Sequence, residues 1–310
     1  MKTEFDLLPM LQKIMARNPI VDLNDLPPAN QMSSYEIHPI PGVQMQEEEL
    51  TREDGSSIHV LCYAPADTKE TLPALLWLHG GGYFAGAAEA DSALCQQFAI
   101  GANCKVFAPN YRLAPVYPYP AGLEDCYTVL LWMNTQAARY HIDPAHIAVG
   151  GVSAGGGLTA ALTLLARDRG GPSICFQMPL YPMLDDRGST PSSHEILPSN
   201  FPRAWNRGHN SIAWKWYLCH LDSNNVPPYA APARALDLIG LPPAYTCVGE
   251  LDLFRDETIT YVARLAQADV PVEFHLYPGC YHGFETASDD ILICKQARKE
   301  YITALKCAFT

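Results

Sequence analysis

The pentapeptide Gly151-Val152-Ser153-Ala154-Gly155 restricts this chain more than any other stretch, because of what flanks it. Before it runs His146-Ile147-Ala148-Val149-Gly150, a strand-like segment. After it comes Gly156-Gly157-Leu158-Thr159-Ala160-Ala161-Leu162, small and aliphatic, which reads as a helix. A strand that runs straight into a helix forces the residue at the turn into strained backbone geometry. Small neighbours are then needed to avoid clashes. The serine stands at the carboxyl end of a sheet, over a helix N-terminus that favours developing negative charge.

The rest of the chain repeats that alternation. Strand candidates are 58–64, 74–79, 104–109, 146–150, 174–180, 244–249 and 272–277. Several are nearly continuous apolar runs, as expected for a mostly parallel sheet covered on both faces. Helix candidates are 89–101, 120–140, 153–169, 255–268 and 289–307, with Pro120 opening the second and Gly170-Gly171-Pro172 closing the third. The fold class is therefore α/β, built of right-handed βαβ units. Two stretches do not fit. Residues 1–42 carry a short amphipathic helix, Leu7 to Met15, and then a Pro-rich passage; residues 185–230 bring polar and Pro residues and the aromatic segment Trp205 to Tyr217. The expected division is an N-terminal cap segment 1–42, a core in two parts at 43–184 and 231–310, and a cap insertion at 185–230.

Charge and cysteine usage exclude several function classes. The net charge is −12, from 21 basic and 33 acidic residues, and nucleic acid and anionic membranes both reward basic patches instead. No stretch reaches the roughly 18 apolar residues of a membrane helix, and the acidic start Met1 to Asp6 lacks a signal-peptide pattern. A cytoplasmic protein without membrane insertion is expected. The ten cysteines show no C-x-x-C spacing and mostly fall in apolar segments, so they read as buried thiols and not as disulfides or metal ligands. No H-E-x-x-H is present, so a zinc hydrolase lacks its usual ligand spacing.

Chemistry concentrates at the ends of the strand candidates. His79-Gly80-Gly81-Gly82 follows the run Ala74 to Leu78, and a glycine loop there lets backbone N–H groups turn toward an oxyanion. The amides of Gly81, Gly82 and Ala154 are the expected donors. A serine hydroxyl is a poor nucleophile until a base takes its proton, and that base needs an orienting acid. With the order Ser, acid, His, the candidate base is His282, just past the last strand candidate, whereas His275 lies inside it. The candidate acid is Asp252, early in the loop after 244–249. The pair Asp185 and Asp186, one loop earlier, and Glu250 are the alternatives. Asp256 and Glu257 start the next helix, where acids favour the dipole.

These residues resemble the bacterial hormone-sensitive-lipase-like carboxylesterases, the H-G-G-G or family IV esterases. The resemblance runs from about residue 40 to 300 through His79–Gly82, Tyr111-Arg112-Leu113-Ala114-Pro115, Gly151–Gly156, Asp252 with Arg255-Asp256-Glu257, and His282-Gly283-Phe284. Leu184-Asp185-Asp186-Arg187 and Trp214-Lys215-Trp216-Tyr217-Leu218 look most like the acetyl-type esterases that include heroin esterase. The resemblance implies the α/β-hydrolase fold with an eight-stranded sheet, a helical cap and hydrolysis of short acyl esters without a cofactor. It carries the triad onto Ser153, Asp252 and His282, and gives His79 a structural role in holding the glycine loop. The chain departs from the family at Val152, often Asp or Thr; at Val116, often Glu, which would leave Arg112 without an ion pair; and at Leu253-Phe254, often Pro-Leu.

The expected reaction is hydrolysis of acetyl to hexanoyl esters through an acyl-enzyme on Ser153. Activity should fall below the ordinary histidine range, roughly pH 6 to 7, because the base must be neutral. Tyr83, Phe84, Trp205, Trp214 and Tyr217 are candidate pocket residues, whose rings would shorten the acyl site. Two other readings stay open: an amidase or peptidase on the same fold, and a non-catalytic small-molecule receptor. A homodimer through the free edge of the last strand is the expected assembly.

Overall fold

The computed structural model describes residues 9–18, 20, 35–52 and 54–310. The chain opens with helix α1 (Pro9–Met15), then strands β1 (Val43–Thr51), β2 (Ser57–Pro65) and β3 (Leu72–Leu78). Helix α2 (Ser92–Gly101), strand β4 (Lys105–Pro109) and helices α3 (Ala121–Thr135) and α4 (Ala137–Tyr140) follow. Strand β5 (Ile142–Val152), helix α5 (Ala154–Arg169) and strand β6 (Phe176–Leu180) lead to the short helices α6 (Pro191–Glu195) and α7 (Arg207–Tyr217). Strand β7 (Ala244–Leu251), helix α8 (Arg255–Gln267), strand β8 (Val272–Tyr281) and helix α9 (Leu292–Ala308) complete it.

The strands form one sheet in the order β1-β2-β4-β3-β5-β6-β7-β8. The pairs from β4 to β8 are parallel, and β2 runs antiparallel to both β1 and β4. All seven strand candidates are present. β1 is the strand that apolar patterning does not reveal: Val43–Thr51 holds three glutamates, and Leu50 is its one buried side chain. An edge strand with a wet face needs no apolar pattern, and its charges discourage pairing with another sheet. The mostly parallel eight-stranded sheet matches the fold implied by the family resemblance.

Strand residues alternate between two cores. Ala74, Leu76 and Leu78 of β3 join the core under α3, α4 and α5, whereas Leu75 and Trp77 join the one under α2 and α9. This two-sided burial explains why β3 reads as a continuous apolar run. Leu11 of α1 is fully buried in the α2–α9 core. The described part of that amphipathic segment is Pro9–Met15; its first residues, Leu7 and Leu8, and residues 21–34 of the Pro-rich passage lie outside the described residues.

Residues 185–230 leave the sheet between β6 and β7 and return over its carboxyl end. Their aromatic segment is held by rings: Tyr217 stacks on Tyr83 with centroids 4.0 Å apart, and Trp216 meets Phe84 edge-on at 5.0 Å. Arg203 donates to the carbonyl of Asn18, joining this insertion to the N-terminal segment. All ten cysteines are free thiols. Seven are buried, Cys175 is half-buried, and Cys219 and Cys307 are exposed. Among the described residues no helix is long and apolar enough to cross a membrane, and no cluster of three His, Cys, Asp or Glu could hold a metal.

Candidate active site

Ser153 follows β5 directly and caps α5 with φ 56° and ψ −117°. The glycines around it answer to close backbone contacts. A Cβ at Gly151 would lie 2.5 Å from the Leu78 carbonyl oxygen, and one at Gly155 would lie 2.0 Å from the same atom. The end of β3 presses so tightly on the turn that no side chain fits. The Ser153 amide donates to Leu180 O at 3.0 Å, and its carbonyl accepts from Gly157 N and Met183 N. The hydroxyl is thereby fixed at the carboxyl end of the sheet's middle strands.

The candidate base and acid follow the two strands at one end of the sheet, β8 and β7. A register irregularity between β7 and β8 sets Leu251 opposite Tyr281, so the next residues, Asp252 and His282, emerge side by side. His282 Nδ1 lies 2.8 Å from Asp252 Oδ2, and Nε2 lies 2.9 Å from Ser153 Oγ. Asp252 is 1% exposed, and its other oxygen accepts from the Phe254 amide at 2.9 Å. Because the carboxylate only accepts, Nδ1 carries the proton and Nε2 faces the serine as acceptor. Such a relay can withdraw the hydroxyl proton and stabilise the imidazolium that forms.

The alternative acids are engaged elsewhere. Asp185 pairs with Arg187 and Asp186 with Arg234, each at 2.7 Å, and Glu250 accepts from Gly279 N at 3.0 Å. His275 pairs with Glu273 on its own strand at 2.8 Å. The structure thus brings Ser153, Asp252 and His282 together and keeps the other candidates apart.

The glycine loop crosses the elbow. A Cβ at Gly80 would lie 3.5 Å from Ser153 Cβ, so the loop backbone runs against the Ser153 side chain. Gly81 and Gly82 have φ of 119° and 60°, values that favour glycine. Their amides donate to no acceptor among the described residues, while the Gly81 carbonyl accepts from Phe84 N and Ala85 N. Ala154 is the first residue of α5, where an amide has no intrahelical acceptor. His79 anchors the loop from below: Nδ1 donates to Gly80 O at 2.7 Å, its ring stacks on Tyr111 at 4.1 Å, and Tyr111 Oη donates to His79 O. Burial pushes its pKa down to about 4, so it stays a neutral bracket.

The five candidate pocket residues separate into two groups. Trp205 Cη2 would lie 2.5 Å from a Cβ at Gly82, and its ring centroid is 6.3 Å from that of His282. Phe84 stands beside it at 6.3 Å. Trp214 and Tyr217 of α7 are instead buried with Tyr83, where the insertion packs on the glycine loop. Two walls escaped the sequence reading. Tyr181 and Phe254 both meet the His282 ring edge-on, at 5.0 and 5.1 Å. Their one sequence signal is position, Tyr181 just past β6 and Phe254 two residues after Asp252.

A family model described as the alpha/beta hydrolase fold matches residues 75–286. Carboxylesterase NlhH of Mycobacterium tuberculosis is 34% identical over 272 residues, 87% of this chain and 84% of that protein. Esterase LipI of the same species is 37% identical over 239 residues, 76% and 72% of the two chains. The solved structure of a bacterial heroin esterase superposes with a TM-score of 0.90 at 36% identity, covering 98% of both chains. The chain belongs to the hormone-sensitive-lipase-like carboxylesterases of the α/β-hydrolase fold. As a member of this family it is a carboxylic ester hydrolase.

The esterase compensates for two of its departures from the family pattern. Arg112 does not lose its ion pair with Val116 in place of Glu. It forms a bidentate pair with buried Asp125, which also binds Arg52, and Val116 is exposed. Leu253 and Phe254 are both fully buried; the Leu253 carbonyl accepts from Ser192 Oγ, and Phe254 supplies the wall against His282. Glu257 corrects the reading of that residue as a helix-dipole acid. Its side chain is buried and accepts from Leu184 N and Asp185 N, where the insertion leaves the sheet. Burial raises its pKa well above the ordinary carboxylate value.

Proposed function

We propose that this esterase hydrolyses short-chain acyl esters, acetyl to hexanoyl, through an acyl-enzyme on Ser153. The observation that carries the reading is the continuous relay from Ser153 Oγ through His282 to buried Asp252, at 2.9 and 2.8 Å. His282 takes the hydroxyl proton as Oγ attacks the ester carbonyl, and Asp252 holds the imidazole in its tautomer and steadies its charge. The amides of Gly81, Gly82 and Ala154 hold the oxyanion. His282 then returns the proton to the leaving alcohol, and water repeats the sequence on the acyl group. No cofactor takes part.

Trp205 supports the short-chain range. Its ring overlies Gly82 and reaches toward His282, so an acyl chain running past the oxyanion loop meets an indole within a few carbons. Phe84 thickens the same wall. The insertion 185–230 acts as the cap, and the enzyme works in the cytoplasm on small esters.

Turnover of p-nitrophenyl esters from two to twelve carbons, beside Ser153→Ala, tests the reading. Rates peaking at two to six carbons and abolished in the variant are expected. No ester turnover by folded protein, with cleavage of p-nitroanilides instead, would overturn it in favour of an amidase. A preference for the twelve-carbon ester would overturn the chain-length range alone.

A further inference from the structure

The relay leaves one nearby carboxylate unused. Glu285 follows His282 by three residues on the single 3-10 turn Phe284–Thr286 and is 1% exposed. One of its oxygens accepts from Tyr181 Oη; the other, Oε2, has no protein partner among the described residues. The carboxylate lines a cleft of about 290 Å³ beside Val152, on the α2–α9 side of the nucleophile strand.

Tyr181 connects this carboxylate to the whole site. It comes directly after β6, whose last residue, Leu180, accepts the amide proton of Ser153. Its own amide donates to Cys247 O of β7, its φ is 34°, and its ring is 3% exposed and edge-on to His282 at 5.0 Å. A tyrosine with positive φ persists where its surroundings hold it, and here the hydroxyl is held by the base's own loop. The imidazole meets both Tyr181 and Phe254 edge-on, each at 80° to its plane.

We propose that Glu285, acting through the Tyr181 hydroxyl, is a positioning residue for His282. This rests on the catalytic reading above. The Tyr181–Glu285 hydrogen bond fixes the Tyr181 wall, and the wall fixes the ring that must reach Ser153 and Asp252 at once. The Glu285 charge adds a second, longer-range attraction for the imidazolium of the reaction. The groups facing that carboxyl are Tyr181, Asp91, Cys247, Cys280, Tyr281, Cys294, Tyr301, His282 and Arg298, the last donating to the Glu285 carbonyl. Burial pushes the Glu285 carboxyl up, with the Tyr181 hydrogen bond and the His282 and Arg298 charges acting against it.

Two isosteric variants separate bond from charge. Tyr181→Phe keeps the ring and removes the bond; Glu285→Gln keeps an acceptor and removes the charge. With p-nitrophenyl acetate, Tyr181→Phe is expected to lower kcat about tenfold with KM within about twofold, because the misplaced group is the base. Glu285→Gln is expected to move the acidic limb of kcat/KM to lower pH, since the imidazolium loses a counter-charge. Unchanged kcat in Tyr181→Phe and an unmoved limb in Glu285→Gln overturn the inference, even with a lowered melting temperature. A third variant, Tyr181→Leu, removes the ring, and activity equal to wild type there overturns it independently. Wild type inactive on all esters overturns the esterase reading and this inference with it; active wild type with unaffected variants overturns this inference alone.

Discussion

A methyl group on Gly155 would stand 2.0 Å from the Leu78 carbonyl oxygen and 2.5 Å from that of His79, with only backbone to yield. Gly155→Ala should therefore cost about 3 kcal/mol or more, read by urea unfolding. Gly82→Ala differs, because its Cβ would meet the ring atoms of Trp205 and Phe84, which can turn aside. Its φ of 60° costs a methyl-bearing residue about 1–2 kcal/mol, and displacing the amide proposed to hold the oxyanion should lower kcat on p-nitrophenyl acetate by about a hundredfold. Asp252→Asn, which leaves shape but disturbs the tautomer, should lower kcat by about 10³–10⁴. The glycine positions were legible in the sequence because a close backbone approach admits one residue type. The rings around His282 were not: nothing in the spacing of Tyr181 or Phe254 says which way a loop side chain turns.

At the scale of elements, patterning revealed β2 to β8 and passed over β1, which has polar residues where the others have apolar runs. Apolar periodicity records burial, and β1 buries little. The insertion's anchorage was likewise hidden, since Glu257 looks like any acid in a first helical turn. It ties α8 to the departure of the insertion through the amides of Leu184 and Asp185 at 2.7 and 3.2 Å. Glu257→Gln keeps the accepting oxygen and should cost less than about 1 kcal/mol, whereas Glu257→Ala strands two buried amides and should cost about 2–3 kcal/mol. Urea titration of both variants checks the contrast, which fails if they lose equal stability.

For the whole molecule, burial creates opposed pH dependences. The Asp91 carboxyl is pushed up to about 6 against a hydrogen bond from Trp77, whereas the His79 imidazole is pushed down to about 4. A carboxyl whose folded pKa is raised contributes stability at low pH that is lost as pH climbs from about 4 to about 6. A histidine whose folded pKa is depressed loses stability as pH falls from about 6.5 to about 4. Asp91→Asn, which keeps an acceptor for Trp77, should therefore melt higher than wild type at pH 7, with the gap closing toward pH 4. A gap that stays constant across that range would show that Asp91 does not titrate with folding. At the far side of the sheet β8 pairs with β7 alone among the described residues, and a dimer formed across its other edge should sediment at twice the chain mass.

The two exposed thiols have a practical consequence. Cys219 sits just past α7 on the insertion and Cys307 on the last helix of the core, while seven of the other eight are buried. Burial also holds the Cys95, Cys104, Cys126 and Cys247 thiols above their ordinary range, away from the reactive thiolate. The natural chain thus accepts a matched pair of spin labels with no engineering, one on each side of the joint between insertion and core. The interspin distance, recorded with and without an acylating inhibitor, reports whether the insertion shifts against the core.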